Sequence, residues 1–271
     1  MATNPLSLHR IHGVLGDHPW ADRICIFEEV GSTNTLAKEM AAQGAPCGTV
    51  LVADRQNAGR GRLGRSFLSP GDVGIYFSVI IRPDCRPQEL MHLTCAVAVA
   101  MCDAVETAYG FRPGIKWTND LVVGSKKLGG ILTELSLNSK TGLVDYAVLG
   151  IGINCRQRLS DFDPAIRDMA CSASMVTGED VDRNRLIAEM IRACETMSRT
   201  LLSGRSTMMD RYRTDCITLG RQVSVVRGDE IFHATAVDLD EEGGLIIRRE
   251  NGDVQTVTSG EVSVRGLYGY I

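Results

Sequence analysis

A loop in the first quarter of the chain alternates glycine with arginine, which is the composition of an anion clamp. Residues 55–65 read RQNAGRGRLGR, so glycines separate Arg60, Arg62 and Arg65. Glycine lets a backbone approach a ligand closely, and guanidinium groups bind phosphate or carboxylate through paired hydrogen bonds. The GxxxxGK[ST] pattern of a Walker A loop is absent. The pattern favours an anionic ligand, with a solvated surface loop or a nucleic-acid patch as the alternatives.

A second polar segment combines an Asn-Asp pair with two lysines and two glycines. Residues 116–120 read KWTND, and residues 126–134 read KKLGGILTE. Asn119 and Asp120 at a strand end could orient a nucleotide or hold Mg²⁺, and a lysine on the next strand could reach a phosphate. Paired glycines would let a flat ligand touch the backbone. The alternative is a plain hairpin that carries a solvated lysine pair.

Two shorter segments could complete a binding site. Residues 150–154 read GIGIN, and glycines alternating along an apolar strand leave a smooth face with exposed backbone. A close contact between a helix and this strand is the alternative interpretation. Residues 32–34 read STN before a predicted helix, where helix capping is the competing explanation.

The elements that must position these segments alternate between strands and helices, so we expect an α+β fold with a central mixed sheet and flanking helices. Strands are predicted over residues 23–30, 49–53, 74–81, 114–117, 121–123, 128–138 and 145–154. Helices are predicted over residues 35–43, 87–109, 182–202 and 207–216. From residue 220 onward, five short strands separated by turns predict a small SH3-like β-barrel. We place the domain boundary near Leu219, which gives domains of residues 1–218 and 219–271.

Composition restricts the function classes further. The chain has 271 residues and a net charge of -4, which argues against general nucleic-acid binding. Its nine cysteines include no CxxC pair, which argues against a zinc knuckle and indicates a reducing compartment. The five histidines show no metal-ligand spacing, so we expect no metal ligand among the site residues. The apolar run 95–102 is too short to span a membrane, and the N-terminus lacks a signal-like apolar stretch, so we expect a cytoplasmic protein.

In their order and spacing, these segments resemble the biotin protein ligase family. The family pattern GRGRxGR is complete at residues 59–65, and GIGIN is complete at residues 150–154. KWPND appears at residues 116–120 with Thr118 in place of proline, and KxxGILxE appears at residues 127–134. Residues 260–265 are similar to the closing strand of the family. The resemblance runs from about residue 24 to the end of the chain.

The resemblance implies a role for individual positions. Lys127 and Arg62 would be catalytic, with Lys127 holding the biotin carboxylate and the α-phosphate of ATP together. The implied biotin-binding residues are Ser32, Thr33, Asn34, Gln56, Gly59, Arg60, Gly61, Arg62, Lys127, Gly130, Ile131 and Gly150. The implied nucleotide-binding residues are Arg62, Arg65, Asn119, Asp120, Lys127 and Asn154.

The resemblance also implies an activity, with ATP and Mg²⁺ as cofactors and biotin as substrate. Such an enzyme forms biotinyl-AMP and passes biotin to a lysine of a biotin carboxyl carrier protein. One alternative is a lipoate or octanoate ligase, whose RxxGGG element is not seen here. Another is a biotin-sensing repressor, but about 23 residues before the first predicted strand are too few for a helix-turn-helix module. We therefore expect no DNA binding and no membrane association; a homodimer is compatible with the family.

Overall fold

The central sheet has seven strands and is mixed, as predicted. A computed structural model describes residues 5–258 and 263–266. The strands are β1 (Ile24–Val30), β2 (Val50–Gln56), β3 (Gly74–Ile81), β4 (Gly114–Lys116), β5 (Asp120–Val123), β6 (Lys126–Leu137) and β7 (Val144–Asn154). Their spatial order is β1-β2-β3-β7-β6-β5-β4. Only β1 and β2 pair in parallel, and the other neighbours are antiparallel.

The two faces of this sheet have different side chains because successive residues of a strand point to opposite faces. In β7, Ile151 and Ile153 point into the main core, which also contains residues of α3 (Leu93–Tyr109) and α5 (Arg183–Thr200). The opposite face carries α2 (Thr33–Ala42), packed on a small second core with Leu51 and Val148. Beyond α2, the glycines of β6 and β7 leave this face open, and the candidate functional site lies there.

The helices differ from the predicted ones mainly at their ends. α2 begins at Thr33, two residues earlier than predicted, and the predicted helix over 87–109 is interrupted. A 3-10 turn covers Pro87–Leu90, and α3 begins only at Leu93. α5 and α6 (Arg205–Asp215) correspond to the two predicted C-terminal helices. Two further helices had no clear sequence signal because they are short: α1 (Leu8–Leu15) and α4 (Ala173–Thr177).

The segment 87–109 is long and apolar enough to cross a membrane by composition alone. However, 72% of its most apolar window is buried inside the protein. In α3, residues on most faces of the helix are buried, including Val97, Met101 and Val105. This pattern is that of a core helix packed between a sheet and other helices.

A second sheet follows α6 and confirms the five predicted short strands. These are β8 (Gln222–Arg227), β9 (Glu230–Leu239), β10 (Leu245–Arg248), β11 (Val254–Val257) and β12 (Ser263–Gly266). They pair antiparallel in the order β11-β10-β9-β8-β12. Residues 260–262, the start of the family-like closing segment, lie outside the described residues.

This second sheet contacts the KWTND segment directly. Nε1 of Trp117 donates a hydrogen bond to the carbonyl of Gly243 at 2.9 Å. The Trp117 backbone N–H donates to Oγ1 of Thr218 at 2.9 Å, just before the sheet. The guanidinium of Arg213 in α6 bonds Asp238 at 3.3 Å and Glu241 at 3.3 Å. The segment that carries Asn119 and Asp120 is therefore braced by the C-terminal part of the chain.

Candidate functional site

A cavity of about 620 Å³ opens over the glycine-rich face of the central sheet. All the candidate site residues except Gly59 line this cavity, although they come from distant parts of the sequence. They are Ser32, Thr33, Asn34, Gln56, Arg60, Gly61, Arg62, Arg65, Asn119, Asp120, Lys127, Gly130, Ile131, Gly150 and Asn154.

Strand register explains the glycine floor of the cavity. Gly130 of β6 pairs with Gly152 of β7, and Gly150 pairs with Leu132 on one side and Ser78 on the other. A Cβ atom on Gly150 would lie 2.0 Å from Oδ1 of Asn34, and one on Gly152 would lie 2.6 Å from the Phe67 ring. Both interpretations of the GIGIN segment therefore apply. Gly150 is in close contact with Asn34 of helix α2, and both residues line the cavity.

One end of the cavity is a polar cluster at the start of α2. The backbone N–H and Oγ1 of Thr33 both donate to Oε1 of Gln56, at 2.9 and 3.1 Å. Nε2 of Gln56 donates to Oγ of Ser69 at 2.9 Å. Ser32 occupies the N-cap position of α2, but its side chain makes no capping hydrogen bond. Capping therefore does not account for the hydroxyl of Ser32, which lines the cavity.

Gly59 lies beneath this polar end and does not line the cavity. A Cβ atom there would lie 2.6 Å from Oγ of Ser69 and 3.1 Å from Nε2 of Gln56. It would also lie 2.3 Å from the carbonyl oxygen of Phe67. Glycine at this position lets the arginine loop, residues 57–69, pack against Gln56, so its contribution is to the shape of the loop.

The arginine loop is an irregular hairpin over the cavity. The Gly61 N–H donates to the Arg65 carbonyl at 2.7 Å, and the Phe67 N–H donates to the Gly59 carbonyl at 2.9 Å. Nη1 of Arg62 donates to Oγ1 of Thr118 and to Oδ1 of Asn119, both at 2.9 Å. Burial lowers the pKa of Arg62, and the charge of Asp120 opposes that shift. Arg62 is thereby fixed to the KWTND segment, where Thr118 follows a cis peptide bond.

Lys127 and Asp120 form the charged end of the cavity. Nζ of Lys127 donates to Oδ1 of Asp120 at 2.7 Å. The β5–β6 register shifts between Leu121 and Val122, where Leu128 is the extra residue on β6. This bulge puts Lys127 and Gly130 on one face although they are three residues apart, and a Cβ on Gly130 would lie 3.3 Å from Nζ. Lys126 is not among the cavity residues.

The structure does not bring Arg60 and Lys127 together. Nη1 of Arg60 lies 3.1 Å from Oε1 of Glu134 in β6. Glu134 is seven residues beyond Lys127 on the same strand, which places their Cα atoms roughly 20 Å apart. Arg62 is the loop arginine nearer to Lys127, since its partner Asn119 precedes Asp120 directly. The arginine loop therefore spans both ends of the cavity.

Glu134 contacts two cavity residues, Asn34 and Arg60, and the sequence analysis gave it no role. Its carboxylate accepts from Lys38 Nζ at 2.7 Å and from Asn34 Nδ2 at 3.0 Å, besides its contact with Arg60. Burial raises the pKa of Glu134, but the hydrogen bonds from Lys38 and Asn34 and the nearby positive charges outweigh it, so the net pKa is lowered. The signal that could have identified it was its place at the end of the KKLGGILTE segment.

The sequence analysis also missed the apolar cover of the cavity. Phe162, Ile166 and Met169 line it, and all belong to a segment without recognisable motif spacing. The Cys171 N–H at the end of that segment donates to the Lys127 carbonyl at 2.9 Å. Nδ2 of Asn154 donates to the Cys171 carbonyl at 3.0 Å. These bonds join the cover to β6 and to the end of β7.

Comparisons with known proteins agree with this geometry. Residues 26–154 match the biotin/lipoate A/B protein ligase family, and residues 218–265 match the biotin protein ligase C-terminal domain. The chain is 33% identical over 253 residues to the bifunctional ligase/repressor BirA of Bacillus spizizenii, covering 93% of this chain and 75% of that protein. It is 30% identical over 246 residues to the biotin–[acetyl-CoA-carboxylase] ligase of Mycobacterium tuberculosis, covering 88% and 87% of the two chains.

The fold agrees as well. The structure of biotin protein ligase from Aquifex aeolicus in complex with biotin and ATP superposes with a TM-score of 0.76 at 30% identity. The superposition covers 90% of this chain and 99% of that one. Both halves of the chain are thus matched, and the ordered motifs lie around a single cavity. The chain belongs to the biotin protein ligase family.

Proposed function

We propose that this biotin protein ligase condenses biotin with ATP to form biotinyl-AMP and then transfers biotin to a lysine of a biotin carboxyl carrier protein. The observation that carries the proposal is that one continuous cavity has two chemically different ends. A hydrogen-bonding cluster with Thr33 and Gln56 occupies one end, and cations with Asn119 and Asp120 occupy the other. A bicyclic ring that contains a cyclic urea and carries a carboxylate tail fits the first end, and a nucleotide phosphate fits the second.

The first half-reaction joins two anions, so the site must offset their repulsion and align them. A carboxylate oxygen of biotin attacks the α-phosphorus of ATP, the bond to the β-phosphate bridging oxygen breaks, and pyrophosphate leaves. Lys127 and Arg62 are the cations we assign to this step, and the arginine loop that carries Arg60, Arg62 and Arg65 would close over it. Closure shields the mixed anhydride from water.

Mg²⁺ enters this scheme with ATP as the counter-ion of its phosphates. Within residues 5–258 and 263–266, no three His, Cys, Asp or Glu side chains cluster as a metal site. Asp120 and Asp161 do line the cavity. Magnesium is commonly held by one or two carboxylates together with substrate phosphates, and this donor set fits that arrangement.

The second half-reaction needs a lysine from another protein. Its neutral ε-amine attacks the acyl carbon of biotinyl-AMP, an amide bond forms, the acyl–oxygen bond breaks, and AMP and a proton leave.

Asn154 and the apolar side chains of Phe162, Ile166 and Met169 surround the remaining part of the cavity. We assign that part to the adenine ring, because an apolar slot with a few polar groups suits a flat heterocycle.

A lipoate or octanoate ligase is the alternative enzyme, since the family matched by residues 26–154 includes both chemistries. The C-terminal match to biotin protein ligases and the hydrogen-bonding cluster at the cavity end favour biotin. A fatty-acyl chain has no group to use Thr33, Asn34 or Gln56.

The remaining assignments rest on charge, cysteines and connectivity. We propose no DNA binding, supported by a net charge of -4 and by α1, which packs Ile11 and Leu15 into the main core. We propose a cytoplasmic location, supported by nine cysteines that are all free thiols.

We place the domain boundary at 218/219, ahead of β8. Sedimentation of the purified chain tests the homodimer that the family allows.

Biotin-dependent exchange of pyrophosphate into ATP tests the proposed function. Biotin should support exchange only with ATP and Mg²⁺, and lipoate and octanoate should support none above background. Exchange driven by lipoate or octanoate but not by biotin would replace the proposal with the alternative enzyme. Transfer is tested with a purified biotin carboxyl carrier protein and with the same carrier after lysine replacement by arginine.

A further inference from the structure

Ser78 is a fully buried polar residue beneath the hydrogen-bonding end of the cavity. Its side chain is 0% exposed, and it does not line the cavity itself. Oγ of Ser78 lies 2.8 Å from Oγ1 of Thr33 and 2.6 Å from Oδ1 of Asn34. In β3 it stands opposite Gly150, the glycine that admits Asn34 to the sheet surface. Ser78 therefore contacts the two side chains that we assign to the ring of biotin.

The hydrogens of those two side chains are already committed elsewhere. The Thr33 hydroxyl donates to Oε1 of Gln56 at 3.1 Å. The two hydrogens of Asn34 Nδ2 go to the carbonyl of Leu132 at 3.2 Å and to Glu134 at 3.0 Å. Thr33 Oγ1 and Asn34 Oδ1 can therefore act toward a ligand only as acceptors.

Ser78 supplies one proton to these two acceptors, because a serine hydroxyl has a single hydrogen. Each acceptor oxygen has two lone pairs, so the cluster has more acceptor capacity than the protein fills. A cyclic urea has two N–H donors, which can fill the remaining lone pairs of Thr33 Oγ1 and Asn34 Oδ1. A ligand ring without N–H groups would cover this end of the cavity without filling the remaining lone pairs, so it would gain no hydrogen bonds from these acceptors.

We propose that Ser78 is a positioning residue that holds the acceptor oxygens of Thr33 and Asn34 in place and so favours ligands whose ring carries N–H donors. This inference rests on the proposed function, since it deepens the assignment of biotin to this cavity. Ser78 acts through its neighbours and does not touch the reacting atoms. Its loss should weaken recognition of the ring and leave the nucleotide end, with Lys127 and Arg62, unaffected.

The test is steady-state pyrophosphate exchange with Ser78→Ala and Ser78→Cys. Ser78→Ala should raise the KM for biotin about tenfold, as expected for one buried hydrogen bond, with kcat and the KM for ATP within about twofold of wild type. Ser78→Cys keeps a weak donor of similar shape and should give a smaller rise in the KM for biotin. The Ser78→Cys variant still tests the proposal if Ser78→Ala fails to fold.

Two controls separate positioning from general destabilisation. Thr49→Val removes another buried hydroxyl, which bonds the Pro46 carbonyl at 2.8 Å outside the cavity, and should leave the KM for biotin unchanged. Biotin methylated on both ureido nitrogens lacks the N–H donors. The wild-type preference for biotin over this analogue should shrink about tenfold in Ser78→Ala, a change that a merely structural role would not produce.

An unchanged KM for biotin and an unchanged preference in a folded Ser78 variant would overturn the inference while the ligase assignment stands. Wild-type protein without any biotin-dependent exchange would instead defeat the proposed function. Equal rises in the KM values for biotin and ATP would show a loss of overall structure and would also contradict the inference.

Discussion

Nζ of Lys127 in β6 lies 2.7 Å from Oδ1 of Asp120 in β5, next to the β-bulge in the pairing of these two antiparallel strands. The lysine side chain is 30% exposed and the aspartate side chain 18% exposed. The ammonium is therefore held at the cavity wall by a carboxylate of the protein itself. A bound anion would share Lys127 with Asp120, and the lysine would not have to be drawn in from solvent.

Lys127 should be essential for adenylation, and its neighbour should not be. Lys127→Ala removes a cation from the charged end of the cavity and should lower kcat/KM in pyrophosphate exchange by about 100-fold or more. Lys126→Ala is the matched control, because Lys126 does not line the cavity, and its activity should stay within about threefold. The reverse order of effects would show that the wrong lysine has been assigned.

Gly150 should tolerate no side chain. A Cβ atom in Gly150→Ala would lie 2.0 Å from Oδ1 of Asn34, so α2 or the Asn34 side chain must shift. We expect the KM for biotin to rise more than about tenfold, because Asn34 loses its hydrogen-bond geometry. Gly13→Ala, at an exposed position of α1 with nothing within 4 Å of the new Cβ, is the control and should leave the KM for biotin unchanged. Normal biotin kinetics in Gly150→Ala would contradict the packing described here.

Glu134 should contribute to stability in a pH-dependent way. Its pKa is lowered in the folded protein, so the ionised form is favoured by folding. The contribution is complete above the ordinary value of 4.5 and is lost as the pH falls through the lowered pKa. Glu134→Gln should therefore unfold at lower urea concentration than wild type at pH 7, and the difference should shrink in acid. Glu39→Gln, at an exposed position of α2, should show almost no difference at either pH; a constant difference for Glu134→Gln would refute the charge argument.

The arginine loop over residues 57–69 should be open to protease when the site is empty. Arg60 and Arg65 are exposed, whereas Arg62 is half-buried against Thr118 and Asn119, so trypsin should cut first at Arg60 and Arg65. Biotin should protect partly, and biotin with ATP and Mg²⁺ should protect strongly, because the adenylate supplies the counter-charge. Lipoate with ATP should protect little. Equal cleavage rates in all four conditions would eliminate the clamp mechanism even if ligase activity were found.

The chain should not bind DNA specifically. Gel shifts with a biotin-operon promoter at physiological salt should show no retarded band, with or without biotin. The relatives named as bifunctional ligase/repressors provide the positive control for the assay. A specific band that depends on biotin would assign the chain a second, regulatory role.

The sequence by itself determined most of the strands and which segments line the cavity. The alternation of glycine and isoleucine in residues 150–154 is local, and it fixed which side chains enter the core and which face stays open. The turn at Gly124-Ser125 is also local, because a two-residue hairpin turn needs a positive φ that glycine takes easily, and Gly124 has a φ of 58° between β5 and β6. The motif order then identified the family without knowledge of a single contact.

Only the tertiary structure decided which residues are partners. Arg60 belongs to a repeated glycine–arginine pattern, yet it pairs with Glu134, whereas Arg62 pairs with Thr118 and Asn119. The buried hydroxyl of Ser78 and the cover at Phe162 have no motif, since their importance comes from what lies next to them. Sequence patterns report periodicity along one strand or helix, whereas these contacts depend on strand register and loop path across the whole fold.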